Sequence, residues 1–133
     1  MTGKIKSFSD QNTHSIATCG IDIDRLKRLQ ESGNLPQLID VRRQHAYRAS
    51  GMTVAGAIRA EPEKLLDEIG QIDRHRVVVA ICVHGHEVSQ GAAAALRQRG
   101  YDAYFLSGGF EALHQRGLLP LTSIEDSERS DVS

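Results

Sequence analysis

The sequence predicts a small three-layer α/β domain, with a central, mainly parallel sheet flanked by helices. Short apolar segments alternate along the chain with segments of helical periodicity, which is typical of parallel strands joined by crossover helices. Residues 77–81 form an unbroken apolar run rich in β-branched side chains, as expected for a strand buried on both faces. The 133 residues are enough for one packed core, so we expect one domain and one site.

The first half of the chain is expected to fold as helix, strand, helix and strand. Asp22 is a favourable helix cap, and Pro36 bounds the strand that follows. Gly33 and Gly51 can end the two helices in the left-handed conformation. The predicted elements are a helix from Asp22 to Gly33, a strand over residues 37–41, a helix over residues 44–49 and a strand over residues 57–58.

The second half of the chain is expected to continue this alternation. Pro62 suits the first turn of a helix, and the acidic residues beside it face the positive end of the helix dipole. Gly100 ends an alanine-rich segment. The predicted elements are a helix from Glu61 to Gly70 that buries Leu65, Leu66 and Ile69, a strand over residues 77–81, a helix over residues 89–99, a strand over residues 103–106 and a short last helix that contains Phe110 and Leu113.

The two ends of the chain lack the periodicity of the interior. Residues 1–15 are polar, and residues 122–133 are dominated by Ser, Glu, Asp and Arg. Such segments bury too little apolar surface to offset their loss of conformational entropy. We therefore expect a flexible N-terminal tail over residues 1–15, a folded domain over residues 16–121 and a disordered C-terminal tail over residues 122–133.

Charge and composition exclude several classes of partner. The chain has 16 basic and 17 acidic residues, and their signs are interspersed, so neither nucleic acid nor a membrane surface is an expected partner. No segment has the pattern of a signal peptide or a transmembrane helix, and we expect a cytoplasmic protein. Both cysteines, Cys19 and Cys82, are expected to be reduced thiols.

Cys82 is the candidate nucleophile. It follows the strand over residues 77–81, and ligands of parallel sheets bind where the strands end. A loop and then a helix come next, and loop amides together with a helix N-terminus can hold negative charge. Because an ordinary thiol is mostly protonated at neutral pH, such a cradle would favour the reactive thiolate. The predicted substrate-binding residues of this loop are Val83, His84, Gly85, His86, Glu87 and Val88.

Four motifs, in order, resemble those of single-domain rhodaneses. They are Leu-Ile-Asp-Val-Arg at residues 38–42, residues 51–58 ending in Ala-Gly-Ala-Ile, the Cys82 loop with its helix, and Leu-Ser-Gly-Gly-Phe at residues 106–110. The resemblance implies a rhodanese-like fold and a thiosulfate sulfurtransferase. In that family the cysteine takes the outer sulfur of a small donor as a persulfide and passes it to cyanide or a thiol. A protein thiol is a further acceptor to consider, and we expect no cofactor and no metal.

The Cys82 loop departs from the common family pattern. The separation between Cys82 and Gly100, where the next helix ends, is one residue longer than expected for a six-residue loop. A seven-residue loop would resemble those of dual-specificity phosphatases and arsenate reductases. Those enzymes grip an oxyanion with an arginine, and the matching position here is Val88, so phosphatase or arsenate reductase activity is less favoured than sulfur transfer. The loop has no Lys or Arg and does have Glu87, which disfavours thiosulfate as a donor.

The two loop histidines have alternative interpretations. His84 and His86 can supply positive charge in place of the missing arginine, or they can simply face solvent. With Cys82 they are also of the type that binds zinc or copper. Their alternate positions on one tight loop point the three side chains apart, which argues against a metal site.

Asp40 and Arg42 flank the end of the strand predicted over residues 37–41, near the expected mouth of the site. The resemblance implies that this segment ties neighbouring loops together, so Asp40 is expected to give structural support. Arg42, or its neighbour Arg43, can instead lend the positive charge that the loop lacks. Arg42 is therefore also a candidate substrate-binding residue.

A function from another class uses the same loop. A non-catalytic persulfide carrier, or a redox interaction module, would dock a partner there and would load one sulfur without turning over. Cys19 lies outside every motif and is expected to be a buried structural thiol, with a role as a resolving thiol as the alternative.

Overall fold

The computed structural model describes residues 19–132 and confirms the predicted α/β class. Five parallel strands form the main sheet in the order β1-β6-β5-β2-β4. A small antiparallel sheet pairs β3 with β7. The strands are β1 (Gly20–Ile21), β2 (Gln37–Asp40), β3 (Met52–Val54), β4 (Ile58–Arg59), β5 (Val78–Ile81), β6 (Ala103–Leu106) and β7 (Leu121–Ser123).

Helices flank the main sheet, and their ends follow the capping residues of the sequence. The Asp22 carboxylate accepts a hydrogen bond from the Arg25 N–H at 2.8 Å, and Gly51 ends the second helix with a φ of 70°. The α-helices in the described part of the chain are α1 (Ile23–Glu31), α2 (Gln44–Ser50), α3 (Glu87–Gln98), α4 (Gly109–Arg116) and α5 (Ile124–Val132). None of them is long and apolar enough to cross a membrane.

The middle strand, β5, separates two hydrophobic cores. Val78 and Ala80 point to the core beneath α3, whereas Val79 and Ile81 point to the core beneath α1 and α4. Neighbouring residues of a strand alternate between the two faces of a sheet, and here a core covers each face, so all four side chains are buried. The structure therefore has the predicted three layers, with the most apolar segment at its centre.

The segment that follows β4 differs from its prediction. It forms two short 3-10 helices, Pro62–Lys64 and Leu66–Gln71, in place of one α-helix. Leu65 is buried, but Leu66 is 39% exposed. The expectation that both leucines are buried is wrong, because this tighter winding directs adjacent side chains to different sides.

The C-terminal segment is ordered through α5, so the predicted disordered tail over residues 122–133 is wrong for the part described. β7 pairs with β3 in antiparallel register, with Leu121 opposite Val54, and the pairing satisfies the backbone groups that face each other. Ile124 is buried, and Glu128 accepts a hydrogen bond from Arg48 at 2.9 Å. Strand pairing depends on backbone groups, which a polar composition does not reveal. The tail predicted over residues 1–15 lies outside the described residues.

Candidate active site at the end of the middle strand

Cys82 lies immediately after β5, at the carboxyl end of the middle strand, and is 5% exposed. The end of β2 lies beside it, since Asp40 is in register with Ile81. A cavity of about 230 Å³ opens over the thiol. It is lined by most of the predicted site residues, without Gly85 and Asp40, and also by Ala46; the lining residues are Arg42, Arg43, Ala46, Cys82, Val83, His84, His86, Glu87 and Val88.

The start of the loop is anchored by the first turn of α4. The Phe110 N–H donates to the Cys82 carbonyl at 2.7 Å, and the Glu111 N–H donates to the Val83 carbonyl at 3.0 Å. No peptide bond in the described residues is cis, so each N–H points opposite to the carbonyl of its own peptide unit. The N–H groups of Val83 and His84 are thereby turned away from α4.

Four successive loop amides are left without protein partners. Within residues 19–132, the N–H groups of Val83, His84, Gly85 and His86 donate no hydrogen bond to a protein acceptor. Gly85 is buried and Val83 half-buried, and backbone amides at such positions are usually paired. A run of free donors next to Cys82 is therefore suited to hold an anion.

Glycines allow the loop to pack backbone against backbone on the turn before α4. Gly85 has a φ of 79°, and a Cβ there would collide with the Leu106 carbonyl and would lie 2.7 Å from the Gly108 nitrogen. Gly109 is its counterpart, since a Cβ there would lie 2.6 Å from the Val83 carbonyl oxygen. Both positions therefore require glycine for space as well as for conformation.

Ser89 is a site residue that the sequence reasoning missed. Its side chain is fully buried in the first turn of α3, where its Oγ accepts a hydrogen bond from the Cys82 thiol at 3.1 Å and donates to the His86 carbonyl at 3.4 Å. This contact puts the sulfur at the N-terminal, positive end of a 12-residue helix. The one signal in the sequence is a serine seven residues after the cysteine. Whether the Ser89 Oγ reaches the Cys82 Sγ depends on how the loop between them folds.

Arg42 lines the cavity, but its guanidinium is occupied by protein partners. It forms a buried ion pair with Asp40 at 2.7 Å, and it donates to Ser50 Oγ at 2.9 Å and to the Met52 carbonyl at 2.7 Å. Its Cζ lies 4.0 Å from the centre of the Phe110 ring. These contacts tie Arg42 and Asp40 to the fold, and substrate binding by Arg42 stays a prediction.

The remaining loop side chains lie at the mouth of the cavity. His84, His86 and Glu87 are exposed, and the two histidine rings are 6.1 Å apart. Val88 is half-buried and packs against the core beneath α3. In the described part of the chain, no group of three or more His, Cys, Asp or Glu side chains could hold a metal ion.

Comparison with known proteins agrees with this fold and with the position of the loop. The family model described as the rhodanese-like domain matches residues 22–116. The chain belongs to the rhodanese-like family. The match covers four of the five strands of the main sheet, β2, β4, β5 and β6, and the Cys82 loop.

Relatives of this chain include proteins named as thiosulfate sulfurtransferases. It is 33% identical over 96 residues to the thiosulfate sulfurtransferase GlpE of Shewanella oneidensis, covering 71% of this chain and 91% of the relative. It is 32% identical over 89 residues to the enzyme of the same name from Pseudomonas syringae, covering 66% and 79%. A crystal structure of a Lactobacillus plantarum protein superimposes with a TM-score of 0.67 at 24% identity, covering 87% and 96%, which supports the fold alone.

In this rhodanese-like loop, Gly85→Ala is expected to lower the free energy of unfolding by about 1–3 kcal/mol, because the new methyl group meets backbone atoms in a left-handed conformation. Urea denaturation measures the change. Gly91 is the matched control: it lies inside α3 with open space around it, so Gly91→Ala should stabilise by about 0.5–1 kcal/mol. Equal effects of the two changes would contradict the backbone packing described here.

Ser89→Ala is expected to slow reaction at Cys82 without unfolding the domain. A hydrogen bond to a charged group contributes about 1.5–3 kcal/mol, so its loss should reduce the rate of Cys82 alkylation at neutral pH by roughly 10- to 100-fold. Stopped-flow reaction with an alkylating reagent measures this rate. Ser107→Ala, at an exposed serine of the neighbouring turn, should leave the rate unchanged. An unaltered rate in Ser89→Ala would show that the Oγ contact has no chemical role.

A second cluster of charged side chains supports the fold away from the cavity. The Arg59 guanidinium lies 3.8 Å from the centre of the Tyr47 ring and donates to the Arg42 carbonyl at 2.8 Å. Burial lowers the pKa of Arg59, and burial together with the nearby Glu128 carboxylate raises the pKa of Tyr47. This cluster joins β4 and α2 to α5, and no motif in the sequence indicated it.

Proposed function

We propose that this rhodanese-like protein is a sulfurtransferase that carries sulfane sulfur as a persulfide on Cys82. The observation that supports this most is the surroundings of the Cys82 thiol, which has free loop amides beside it and Ser89 Oγ at 3.1 Å. The amides can donate to a thiolate or to the anionic outer sulfur of a persulfide, and the Ser89 hydroxyl, which accepts from the neutral thiol, can turn to donate to the thiolate. The thiosulfate sulfurtransferases among its relatives favour the same chemistry.

The first half-reaction is attack of the Cys82 thiolate on the outer sulfur of a donor such as thiosulfate. A bond forms between the two sulfur atoms, the sulfur–sulfur bond of thiosulfate breaks, and sulfite leaves with the electron pair. The negative charge then lies on the new terminal sulfur. The loop amides of residues 83–86 would hold this charge, so no metal is needed for the step.

The second half-reaction returns the enzyme to its thiolate form. A nucleophilic acceptor, cyanide or a thiol, attacks the terminal sulfur of the persulfide. The sulfur–sulfur bond breaks, the acceptor leaves as thiocyanate or as a new persulfide, and the electron pair returns to Cys82. Because the enzyme is covalently modified between the two substrates, the mechanism is ping-pong.

Phosphoryl transfer and arsenate reduction are not favoured by the site. Both would need a strong cation on the oxyanion, and the two arginines that line the cavity, Arg42 and Arg43, are paired with Asp40 and Glu63. Val88 provides no charge at the position of the loop arginine. The free donors are backbone amides, which suit a single negative charge on sulfur.

Steady-state turnover of thiosulfate and cyanide tests this proposal. The expected result is continuous formation of thiocyanate and sulfite in equal amounts, with parallel double-reciprocal lines as the concentration of either substrate is varied. One equivalent of thiocyanate per protein, followed by no further reaction, would indicate a non-catalytic carrier. The absence of any thiocyanate, with an aryl phosphate hydrolysed instead, would overturn the proposal.

A further inference from the structure

We propose that the sulfur acceptor is a cysteine within a polypeptide segment of a partner protein, which docks in a groove along α3. This inference rests on the proposed function and names its acceptor. The groove has a volume of about 330 Å³ and lies between α3 and the two 3-10 helices. Its lining, called here the α3 groove, consists of Arg43, Pro62, Glu63, Leu65, Leu66, Glu87, Val88, Gly91, Ala92 and Ala95.

The α3 groove is continuous with the Cys82 cavity. Arg43, Glu87 and Val88 line both spaces, so a segment lying in the groove passes directly to the mouth above the thiol. The groove volume is about ten times the roughly 30 Å³ that one water molecule occupies in the liquid. Cyanide or a small inorganic donor can react within the cavity, so its reaction does not need the groove.

The walls of the groove suit an extended chain with an apolar side chain. On α3, Gly91, Ala92 and Ala95 have no bulky side chain, so a peptide backbone can approach the helix closely. On the opposite wall, Leu66 is 39% exposed although it lies on a rigid turn of 3-10 helix. An apolar side chain of the partner would cover Leu66 and remove it from water.

Charge at the junction of the two spaces selects a basic partner. Arg43, which lines both spaces, is paired with Glu63 at 3.3 Å, so the charges of these two residues balance. Glu87 is exposed and forms no ion pair with any other residue in the part of the chain described. Glu87 thus adds an unbalanced negative formal charge at the mouth of the cavity, which attracts Lys or Arg near the acceptor cysteine.

Single-turnover sulfur delivery to synthetic peptides tests the inference. The protein is first loaded with thiosulfate, and its rate of discharge is measured with cyanide, with 2-mercaptoethanol and with a set of capped peptides. Each peptide has one cysteine, with leucine and lysine at neighbouring positions; matched peptides carry serine for leucine or glutamate for lysine. We expect the leucine and lysine peptides to react faster than both matched sets.

Two variants of the protein separate groove binding from the chemistry at Cys82. Leu66→Gln should reduce the rate with the leucine peptides by about fivefold, because an exposed apolar contact at an interface is lost, and should leave the cyanide rate unchanged. Val77→Gln is the control, since Val77 is 36% exposed and does not line the groove. It should alter neither rate.

The outcomes distinguish this inference from the proposed function. A protein that cannot be loaded, or that cyanide does not discharge, would contradict the persulfide chemistry itself. Normal discharge by cyanide, with equal rates for all peptides and no effect of Leu66→Gln, would overturn the docking groove alone. A preference for the glutamate peptides over the lysine peptides would also overturn it, because it would contradict the role assigned to Glu87.

Discussion

Replacing Cys82 with serine is expected to reduce sulfur transfer from thiosulfate to cyanide by at least about a thousandfold, because a hydroxyl cannot form the persulfide intermediate. The change replaces one atom in a small, buried side chain, so the thermal unfolding transition should stay close to that of the unmodified protein. Thiocyanate formation and circular dichroism measure the two properties.

Cys19 provides the internal control for this experiment. It is fully buried and is the other free cysteine in the described part of the chain. Cys19→Ala should keep the transfer activity per folded molecule, since Cys19 lies outside the Cys82 cavity. Loss of activity in Cys19→Ala, or retained activity in Cys82→Ser, would contradict the assignment of the nucleophile.

Removing the guanidinium of Arg42 is expected to produce the largest loss of stability. Arg42→Met leaves the Asp40 carboxylate buried without its cation, and breaking a buried ion pair from one side costs about 3–5 kcal/mol. The hydrogen bonds to Ser50 and Met52 are lost as well. Urea denaturation gives the free energy of unfolding for comparison with the unmodified protein.

Two further variants show whether burial of the pair is the cause. Arg43→Met breaks an ion pair whose side chains are 59% and 69% exposed, and it should change the free energy of unfolding by less than about 1 kcal/mol. The double variant Asp40→Leu with Arg42→Met removes both charges, and it should lose less stability than the sum of the two single changes. Equal losses for Arg42→Met and Arg43→Met would contradict the structural role of Arg42.

The sequence was sufficient to predict the parts of the fold that depend on local pattern. The apolar run of β5 predicted a strand buried on both faces, and the structure confirms it at the centre of the sheet. Asp22 and Gly51 predicted the limits of α1 and α2 because capping depends on one residue and its near neighbours. The position of Cys82 at the end of the middle strand followed from the same pattern.

Features that depend on distant contacts could not be predicted in this way. The sequence is compatible with an Arg42 guanidinium in the cavity or in contact with other protein groups. Its contacts with Ser50, Met52 and Phe110 depend on how these residues are placed in the fold. The contact between Ser89 and Cys82 depends on the path of the whole loop. The ordered C-terminal segment depends on a pairing with β3, which lies far away in the sequence.

The most direct test of the account is to locate the transferred sulfur by mass spectrometry of peptides from the protein after incubation with thiosulfate. We expect the added mass of one sulfur atom on the peptide that contains Cys82. Cyanide should remove this sulfur, and Cys19 should be unmodified. A protein that releases sulfite without any sulfur on Cys82, or that carries the sulfur on Cys19, would contradict the account.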